Sequence, residues 1–335
     1  MLVAVSPFAA LRDSVVLLNV TALHIPDGFL NLPISILTWL ATAALLAVAI
    51  RRTRGELGER QVPLMGVMAA FIFAAQMINF PVAGGTSGHL LGGALAAITL
   101  GPWPAMLVMA SVVGVQALLF QDGGLVVMGA NILNMGFLTA LIGYGLYRAT
   151  AGGPRRLRLA VAGIAAWLSV MAGALATSLQ LWLSGTSSLG VVVPAMLGVH
   201  ALIGVGEALI TVAALAFILR TRPDLVEAGR ARGGRGWVAA GLAVALAVVL
   251  LAPLASADPD GLERVASNLG FLDQGEGAVY TIFPDYIVPF LGETPLSTIV
   301  AGVLGALLVA ALTVGSASLV RRAGRSEPEP ERPVP

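Results

Sequence analysis

Two stretches of sequence organise this chain: Leu-His-Ile-Pro-Asp-Gly-Phe-Leu at residues 23–30 and Gly-Gly-Thr-Ser-Gly-His-Leu-Leu-Gly at residues 84–92. Each stretch contains one of only three histidines, His24 and His89, and the chain has no cysteine. Imidazole nitrogens are good ligands for transition metals, and the neighbouring glycines let backbone approach closely. The two stretches therefore predict a metal site.

A histidine in the second position of a free N-terminus can bind a metal in a special way. If the chain begins at Leu23, its terminal amine, the backbone nitrogen of His24 and the Nδ1 atom of His24 would lie in one plane around the ion. His89 would supply the fourth nitrogen, and such a geometry favours square-planar Ni²⁺ or Cu²⁺. The alternative is that His24 caps a loop and His89 forms a hydrogen bond inside a helix bundle.

The composition is that of a protein with several membrane spans. Of its 335 residues, 57% are hydrophobic and 11% are charged, whereas soluble domains are about 25% charged. All 19 basic residues are arginine, and the net charge of +1 gives no reason to expect a nucleic acid partner. Because cysteine is absent from the sequence, disulfides and thiolate metal sites are excluded.

Residues 1–22 form a leader of moderate hydrophobicity that is interrupted by Arg12 and Asp13. The leader is a poor match to a membrane span, which needs about 20 apolar residues. Two hypotheses make Leu23 the N-terminus: a signal peptidase cleaves after Ala22, where small residues end the leader, or translation starts at residue 23. We therefore expect this leader to be either removed or not translated.

Apolar runs of membrane-spanning length follow the leader and predict an all-α, polytopic transmembrane helical bundle of about nine helices. Seven runs lie in the main part, at residues 33–50, 62–80, 89–100, 102–120, 125–147, 159–183 and 191–219. Two more lie in the C-terminal part, at residues 237–255 and 296–320. The third run is short and rich in glycine, so it either crosses the membrane, tilts, or crosses incompletely.

Arginine positions predict the orientation, because positively charged loops stay in the cytoplasm. Four arginine clusters occupy residues 51–60, 148–158, 220–235 and 321–332. These clusters fall on one side only if the third apolar run crosses the membrane, and the loops on the other side then contain Arg264 alone. His24 and His89 consequently share the outer face, which strengthens the prediction of a metal site.

The same patterns divide the chain into units. Residues 23–220 form the predicted metal-binding membrane unit, 221–236 a cytoplasmic linker, 237–320 an accessory unit with two helices, and 321–335 a disordered tail. Between its helices the accessory unit has seven carboxylates against one arginine, so an acidic outer loop is predicted there. Such a loop either attracts divalent cations or is simply solvated.

Polar residues inside the apolar runs are further candidates, because ionisable groups are costly in a bilayer. His200 and Glu207 are seven residues apart on one helix face, where they either line an ion path or pair with other helices. Five amides either orient the ligand imidazoles without binding the metal or form hydrogen bonds between helices: Gln76, Asn79, Gln116, Asn131 and Asn134.

Several of these motifs, in this order, resemble the substrate-binding membrane subunit of energy-coupling-factor (ECF) nickel and cobalt transporters. They are His-Ile-Pro-Asp-Gly-Phe-Leu at 24–30, Asn-Phe-Pro-Val at 79–82, Gly-Thr-Ser-Gly-His-Leu-Leu-Gly-Gly at 85–93, Gln-Ala-Leu-Leu-Phe-Gln-Asp-Gly-Gly at 116–124 and Gly-Ala-Asn-Ile-Leu-Asn-Met-Gly at 129–136. Pro-Asp-Gly-Leu-Glu at 259–263 resembles the small accessory subunit of the same systems, here fused to the first.

The resemblance implies that Ni²⁺ or Co²⁺ is the transported substrate of a multi-pass protein of the cell membrane. In the family, the ligands are the N-terminal amine, the amide and imidazole nitrogens of the second-position histidine, and a second histidine, which correspond to Leu23, His24 and His89. Family members begin Met-His, whereas here Leu23 precedes His24 after a leader. If the leader persists, the amine ligand is lost.

The resemblance also implies no enzymatic activity and names the partners: a transmembrane coupling protein and two cytoplasmic ATPase subunits. The chain itself has no P-loop, since it contains no lysine. An intramembrane metalloprotease would need a His-Glu-x-x-His motif, which the sequence lacks. A stand-alone secondary transporter of divalent metals remains an alternative through His200 and Glu207, although no internal repeat is evident, and a structural scaffold is a third.

Overall fold

The computed structural model describes residues 24–54, 57–150, 152–225 and 236–325. Eleven α-helices occur in this part of the chain: α1 (Leu32–Arg54), α2 (Gln61–Gln76), α3 (Gly93–Leu100), α4 (Pro102–Val115), α5 (Met128–Asn131), α6 (Thr139–Arg148), α7 (Arg155–Leu183), α8 (Leu189–Thr221), α9 (Gly236–Val249), α10 (Gly261–Leu269) and α11 (Pro295–Arg325). Two short antiparallel strands, β1 (Phe80–Val82) and β2 (Thr86–Gly88), pair Phe80 with Gly88.

The predicted class, an all-α polytopic membrane bundle, is confirmed. Among the residues that the structure describes, seven helical stretches are long and apolar enough to cross a membrane, and two of these include π-helical turns. The predicted run 62–80 corresponds to α2, an apolar helix of 16 residues that begins one residue earlier and ends at Gln76. The predicted run 89–100 is helical only in the eight residues of α3, which span about 12 Å of a hydrocarbon core about 30 Å thick.

The third apolar run nevertheless reaches the arginine-rich side of the bundle. It begins at His89 beside the β-hairpin and ends at Leu100, which lines a cavity of about 370 Å³ together with Thr53 and Arg148. His89, at its other end, lines a different cavity with His24. The run therefore connects the two ends of the bundle, as the predicted orientation requires, by combining an irregular segment with a short helix.

An irregular segment inside a membrane protein needs partners for its backbone groups. Here the buried carboxylate of Glu207, on α8, accepts hydrogen bonds from the backbone N–H groups of Leu91 (2.6 Å) and Gly92 (3.0 Å). These groups lie at the N-terminus of α3, where the helix dipole favours a negative charge. Glu207 thus fixes the loop that follows His89.

The accessory unit covers the outer end of the bundle instead of standing apart as a solvated loop. The Ser87 backbone N–H donates to the carbonyl of Pro259 (2.8 Å), and the Glu276 N–H donates to the carbonyl of Asp27 (2.7 Å). Phe29 and Phe271 pack edge to face, with ring centroids 5.1 Å apart. Both histidine-containing stretches are therefore bound to this unit.

Several sequence predictions concern residues outside the described ranges: the leader 1–22, Leu23, and most of the linker 221–236. The predicted tail 321–335 needs a correction at its start, because α11 continues to Arg325. Gly324 packs against the backbone of Arg54 on α1, and Arg321 forms an ion pair with Glu59 at 3.8 Å. These contacts extend the last helix beyond the apolar run.

Close packing of α3 against α6 depends on Gly143. A Cβ atom at Gly143 would lie 2.6 Å from the Cα and Cβ atoms of Ala94, whereas a Cβ atom at Gly145, two residues away, would meet nothing within 4 Å. We expect Gly143→Ala to destabilise the protein by about 1–3 kcal/mol, because overpacking outweighs the gain in helix propensity. Thermal unfolding in detergent measures this change.

Gly145→Ala is the matched control on the same helix. It gains the helix propensity without the clash, so its unfolding temperature should equal or exceed that of the wild type. Equal stability of the two variants would contradict the packing described for α3 and α6.

Candidate metal site

A cavity of about 70 Å³ lies at the outer end of the bundle, between α7, α8, the two histidine-containing stretches and the accessory unit. Its walls include all three histidines of the chain: His24, His89 and His200. Asn131, Asn134 and Asp260 also line it. The volume is enough for a hydrated or partly dehydrated ion, since one water needs about 10–15 Å³ of the same measure.

The imidazoles of His24 and His89 meet edge to face in this cavity. Their ring centroids are 5.6 Å apart and their planes are inclined by 88°. Both residues are buried, with 2% and 7% of their surfaces exposed. The structure thus brings together two residues that are 65 positions apart in the sequence.

The hydrogen bonds of the three rings determine which nitrogen is available to a ligand. Nδ1 of His24 lies 3.1 Å from the carbonyl oxygen of Asp122, Nδ1 of His89 lies 3.0 Å from that of Leu90, and Nδ1 of His200 lies 2.8 Å from that of Met196. A carbonyl oxygen only accepts, so each Nδ1 donates and each neutral ring keeps its lone pair on Nε2. Metal-binding histidines commonly donate their other nitrogen in this way.

Nε2 of His24 is the most informative of these atoms. It is buried and has no hydrogen-bond partner in the described part of the chain. A buried polar atom without a partner is costly, which indicates that something else satisfies it. Within the described residues, no group of three or more His, Asp, Glu or Cys side chains is arranged to hold a metal ion, so an ion bound by the two imidazoles would need donors of another kind.

Asp122 connects His24 to the accessory unit. Its carboxylate lies 3.2 Å from Nδ1 of His24 and accepts a hydrogen bond from the hydroxyl of Tyr286 at 2.6 Å. The same hydroxyl accepts a hydrogen bond from the side-chain amide of Gln116 at 3.1 Å. Gln116 therefore acts on the imidazole only through Tyr286 and Asp122, not by direct contact.

The charges in this chain of contacts support one another. Burial disfavours the protonated form of His24, but the attraction and hydrogen bonds to Asp122 outweigh it and raise the pKa of His24. Burial likewise opposes ionisation of Asp122, but His24 and Tyr286 lower the pKa of that carboxyl. Burial and the charge of Asp122 raise the pKa of Tyr286 well above its usual value, so the phenol keeps the proton that it donates.

Asn131 holds the backbone beside His24. Its side-chain oxygen accepts from the N–H of Ile25 and its side-chain nitrogen donates to the carbonyl of Ile25, both at 3.0 Å. The carboxamide thus forms the same pair of hydrogen bonds with Ile25 that the backbone of a neighbouring β-strand would form. Gly123, with φ of +92°, allows this approach, since a Cβ atom there would lie 2.8 Å from Cβ of His24 and 2.9 Å from the amide nitrogen of Asn131.

The rest of the first stretch is explained by contacts of the same kind. The carboxylate of Asp27 accepts hydrogen bonds from the backbone N–H groups of Leu125, Val126 and Val127 at 2.9–3.1 Å. Gly28, with φ of +88°, lets the carbonyl of Gln274 in the accessory unit come close. Residues 24–30, including His24, are therefore fixed in position by contacts with residues 125–127 on one side and with the accessory unit on the other.

The other predicted site residues have different surroundings. Asn134 lines the cavity but donates to Gln180 (2.8 Å) and Thr177 (3.1 Å) of α7, so it also joins helices. Asn79 is not among the residues that line the cavity, and its carbonyl accepts from the N–H of Ser256 at 2.8 Å. His200 lines the cavity, whereas Glu207, on the same helix, does not. Leu23 lies outside the described residues.

Asp122 and Tyr286 were not among the sequence candidates for the site, and Asp260 was predicted only as one of the seven carboxylates of the acidic loop. Asp122 belongs to the quoted motif at 116–124, and Asp260 to the motif at 259–263. A carboxylate inside a family motif was the sequence feature that could have identified each of them as a site residue. No sequence feature identified Tyr286 as a site residue, because its role depends on the packing of the accessory unit over the outer end of the bundle.

Comparison with known protein families identifies the family of this chain. The family model described as the cobalt uptake substrate-specific transmembrane region matches residues 24–225. The chain belongs to this cobalt uptake family. A second model, that of the PDGLE domain, matches residues 235–322. The cobalt uptake region of this chain is therefore fused to a PDGLE domain, and the resemblance noted in the sequence is confirmed.

Two relatives cover most of the chain. A protein of Archaeoglobus fulgidus, provisionally named a fused nickel transport protein, is 38% identical over 299 residues, which are 87% of this chain and 96% of that protein. The fused nickel transport protein of Rhodobacter capsulatus is 31% identical over 348 residues, covering 90% of this chain and 100% of that protein. Members of the cobalt uptake family are named as transporters, not enzymes.

A solved structure supports the same assignment. A crystal structure of a truncated transition metal transporter matches with a TM-score of 0.54 and 33% sequence identity. The match covers 59% of this chain and 98% of that one. Together with the seven apolar helices, it identifies the chain as a multi-pass membrane protein.

The contact between Asn131 and Ile25 predicts an effect on the order of the His24 segment. Asn131→Leu keeps the side-chain volume but removes two hydrogen bonds, each worth about 1 kcal/mol. We expect backbone amides in residues 24–30 to exchange with deuterium about 10–30-fold faster, as measured by mass spectrometry. Asn134→Leu is the control, since Asn134 binds α7; similar exchange in both variants would contradict this role.

Proposed function

We propose that this chain is the substrate-specific component of an ECF-type importer and that it captures Ni²⁺, or Co²⁺, on the outer side of the membrane. The observation that carries the proposal is the pairing of His24 and His89 in a buried cavity at the outer end of the bundle. Two relatives that cover most of the chain are named as nickel transport proteins, and the family model is named for cobalt uptake.

The separation of the two rings suits a single ion. A metal–imidazole bond is about 2 Å long, so an ion bound by both rings would hold their centroids about 6 Å apart or less. The observed separation is 5.6 Å. Borderline cations such as Ni²⁺ and Co²⁺ prefer nitrogen ligands of this kind.

The remaining proposed ligands are the terminal amine of Leu23 and the backbone nitrogen of His24. In the family pattern these two nitrogens act together with Nδ1 of His24, but here that Nδ1 contacts Asp122 and Nε2 has no partner. Chelation by the amine, the amide and Nδ1 would therefore require the imidazole of His24 to turn about its Cβ–Cγ bond as the metal arrives. Asp122 holds the ring until then.

Energy for import is proposed to come from partners: a transmembrane coupling protein and two cytoplasmic ATPase subunits. His200 is proposed as a further group on the path of the ion, because it lines the cavity. Glu207 is proposed to support the loop after His89, because both of its oxygens accept backbone hydrogen bonds there. The alternative function is that of a stand-alone secondary transporter of divalent metals.

Removal of either paired histidine tests the proposed site. In cells that express the chain with its partner subunits, we expect His24→Ala and His89→Ala to reduce uptake of radiolabelled nickel or cobalt to the background level. The reason is that each imidazole supplies one of only a few donors to the ion. Asn79→Ala is the control, since Asn79 does not line the cavity, and it should keep wild-type uptake.

Wild-type uptake by both histidine variants would refute the proposed site. Uptake into liposomes that contain the purified chain alone, without ATPase subunits, would instead favour the secondary transporter.

The proposed amine ligand makes a prediction about the mature chain. A native mass spectrum of protein purified from its own membranes should show a chain that begins at residue 23 and carries one nickel or cobalt ion. The same spectrum measures the chain mass and names the metal. A metal-loaded chain that retains residues 1–22 would show that the amine is not a ligand.

A further inference from the structure

The accessory unit contributes one ionisable side chain to the cavity. Asp260 lines it beside His24 and His89, and only 4% of the surface of Asp260 is exposed. The next residue, Gly261, packs so closely on α8 that a Cβ atom there would lie 2.9 Å from Cε1 of His200. A carboxylate from the C-terminal unit therefore forms part of the wall of the proposed metal site.

The charge of the ion explains why a carboxylate is needed there. Of the proposed ligands, the amine and the two imidazoles are neutral, whereas the backbone nitrogen of His24 supplies one negative charge because it must lose its proton to bind the ion. One positive charge of the divalent cation remains, and it needs negative charge nearby because a buried cavity screens poorly. The carboxylate of Asp122 is already engaged by the hydroxyl of Tyr286. Asp260 interacts electrostatically with His24 and with Asp122, so a negative charge on Asp260 affects both of these residues of the site.

The buried position of Asp260 changes the pKa of its carboxyl group. Burial, reinforced by the neighbouring charge of Glu263, raises the pKa of Asp260 to about 8. A cation in the cavity would favour the ionised form of this carboxyl group.

Asp260 also has a structural role, and an experiment must distinguish that role from the effect of its negative charge on the site. One of its oxygens accepts the backbone N–H of Glu263 at 2.7 Å and caps the N-terminus of α10, and the side chain of Glu263 returns a bond to the N–H of Asp260. Asparagine and serine cap helices about as well as aspartate but carry no charge. Substitution by either residue keeps the cap and removes the carboxylate.

We propose that Asp260 supplies the negative charge that balances the bound Ni²⁺ or Co²⁺, so that the PDGLE domain completes the metal site. This inference rests on the proposed function. It assigns to the accessory unit a part in metal binding itself, in addition to its packing on the outer face. The hydrogen bond from Ser87 to the carbonyl of Pro259 fixes the position of the Asp260 segment next to the strand that leads to His89.

The experiment compares Ni²⁺ binding by the chain as purified from its own membranes and by four variants purified in the same way, measured in detergent by equilibrium dialysis with metal analysis. We expect Asp260→Asn and Asp260→Ser to raise the dissociation constant at least about tenfold, because the cation loses its counter-charge. Glu263→Gln is the matched control: it removes a charge from the same helix, keeps the capping box, and should stay within about twofold of the wild type. His89→Ala should abolish binding.

Each outcome decides between the two proposals. Near-wild-type binding by both Asp260 variants, with binding lost in His89→Ala, would overturn the role of Asp260 and leave the proposed function intact. Unchanged binding by His89→Ala would overturn both. Equal weakening by Glu263→Gln and Asp260→Asn would show a general effect of the acidic loop and overturn the specific assignment. Unfolding temperatures of all variants show whether the cap has survived.

Discussion

The contact of Asp122 with His24 is the interaction on which the outer end of this protein depends. It places a buried carboxylate between an imidazole from the N-terminal stretch and the hydroxyl of Tyr286 from the C-terminal unit. A buried charge is stable only when it is paired and hydrogen-bonded. Three distant parts of the chain must therefore meet at one point, and the cavity forms where they meet.

Other polar groups of the site follow the same logic. The amide of Asn131 satisfies both backbone groups of Ile25, and Glu207 satisfies the N-terminus of α3 beside His89. Inside an apolar bundle, no water is available to replace these hydrogen bonds. The polar residues consequently act as fixed supports for the two loops that hold the histidines, while Nε2 of His24 remains as the buried atom without a partner.

The fused architecture follows from these contacts. The accessory unit forms hydrogen bonds with both histidine-containing stretches: the N–H of Glu276 donates to the carbonyl of Asp27, and the carbonyl of Pro259 accepts from the N–H of Ser87. Glycines at 28 and 261 allow the approach at positions where a Cβ atom would collide with the opposing segment. A covalent link between the two units keeps them at high local concentration, which suits a site with walls from both.

The sequence by itself determined the membrane class, because apolar runs of spanning length and arginine-rich loops are local properties of the chain. It also determined the pairing of His24 and His89 as candidates, since scarce histidines in glycine-containing motifs stand out in an apolar chain. Only the tertiary structure decided that the first third of the run 89–100 is irregular, that Glu207 supports a loop, and that Asp122, Tyr286 and Asp260 belong to the site. The physical reason is that these roles depend on hydrogen bonds and charges between segments far apart in sequence. Local patterns in the sequence do not indicate which distant residue each of these groups will contact.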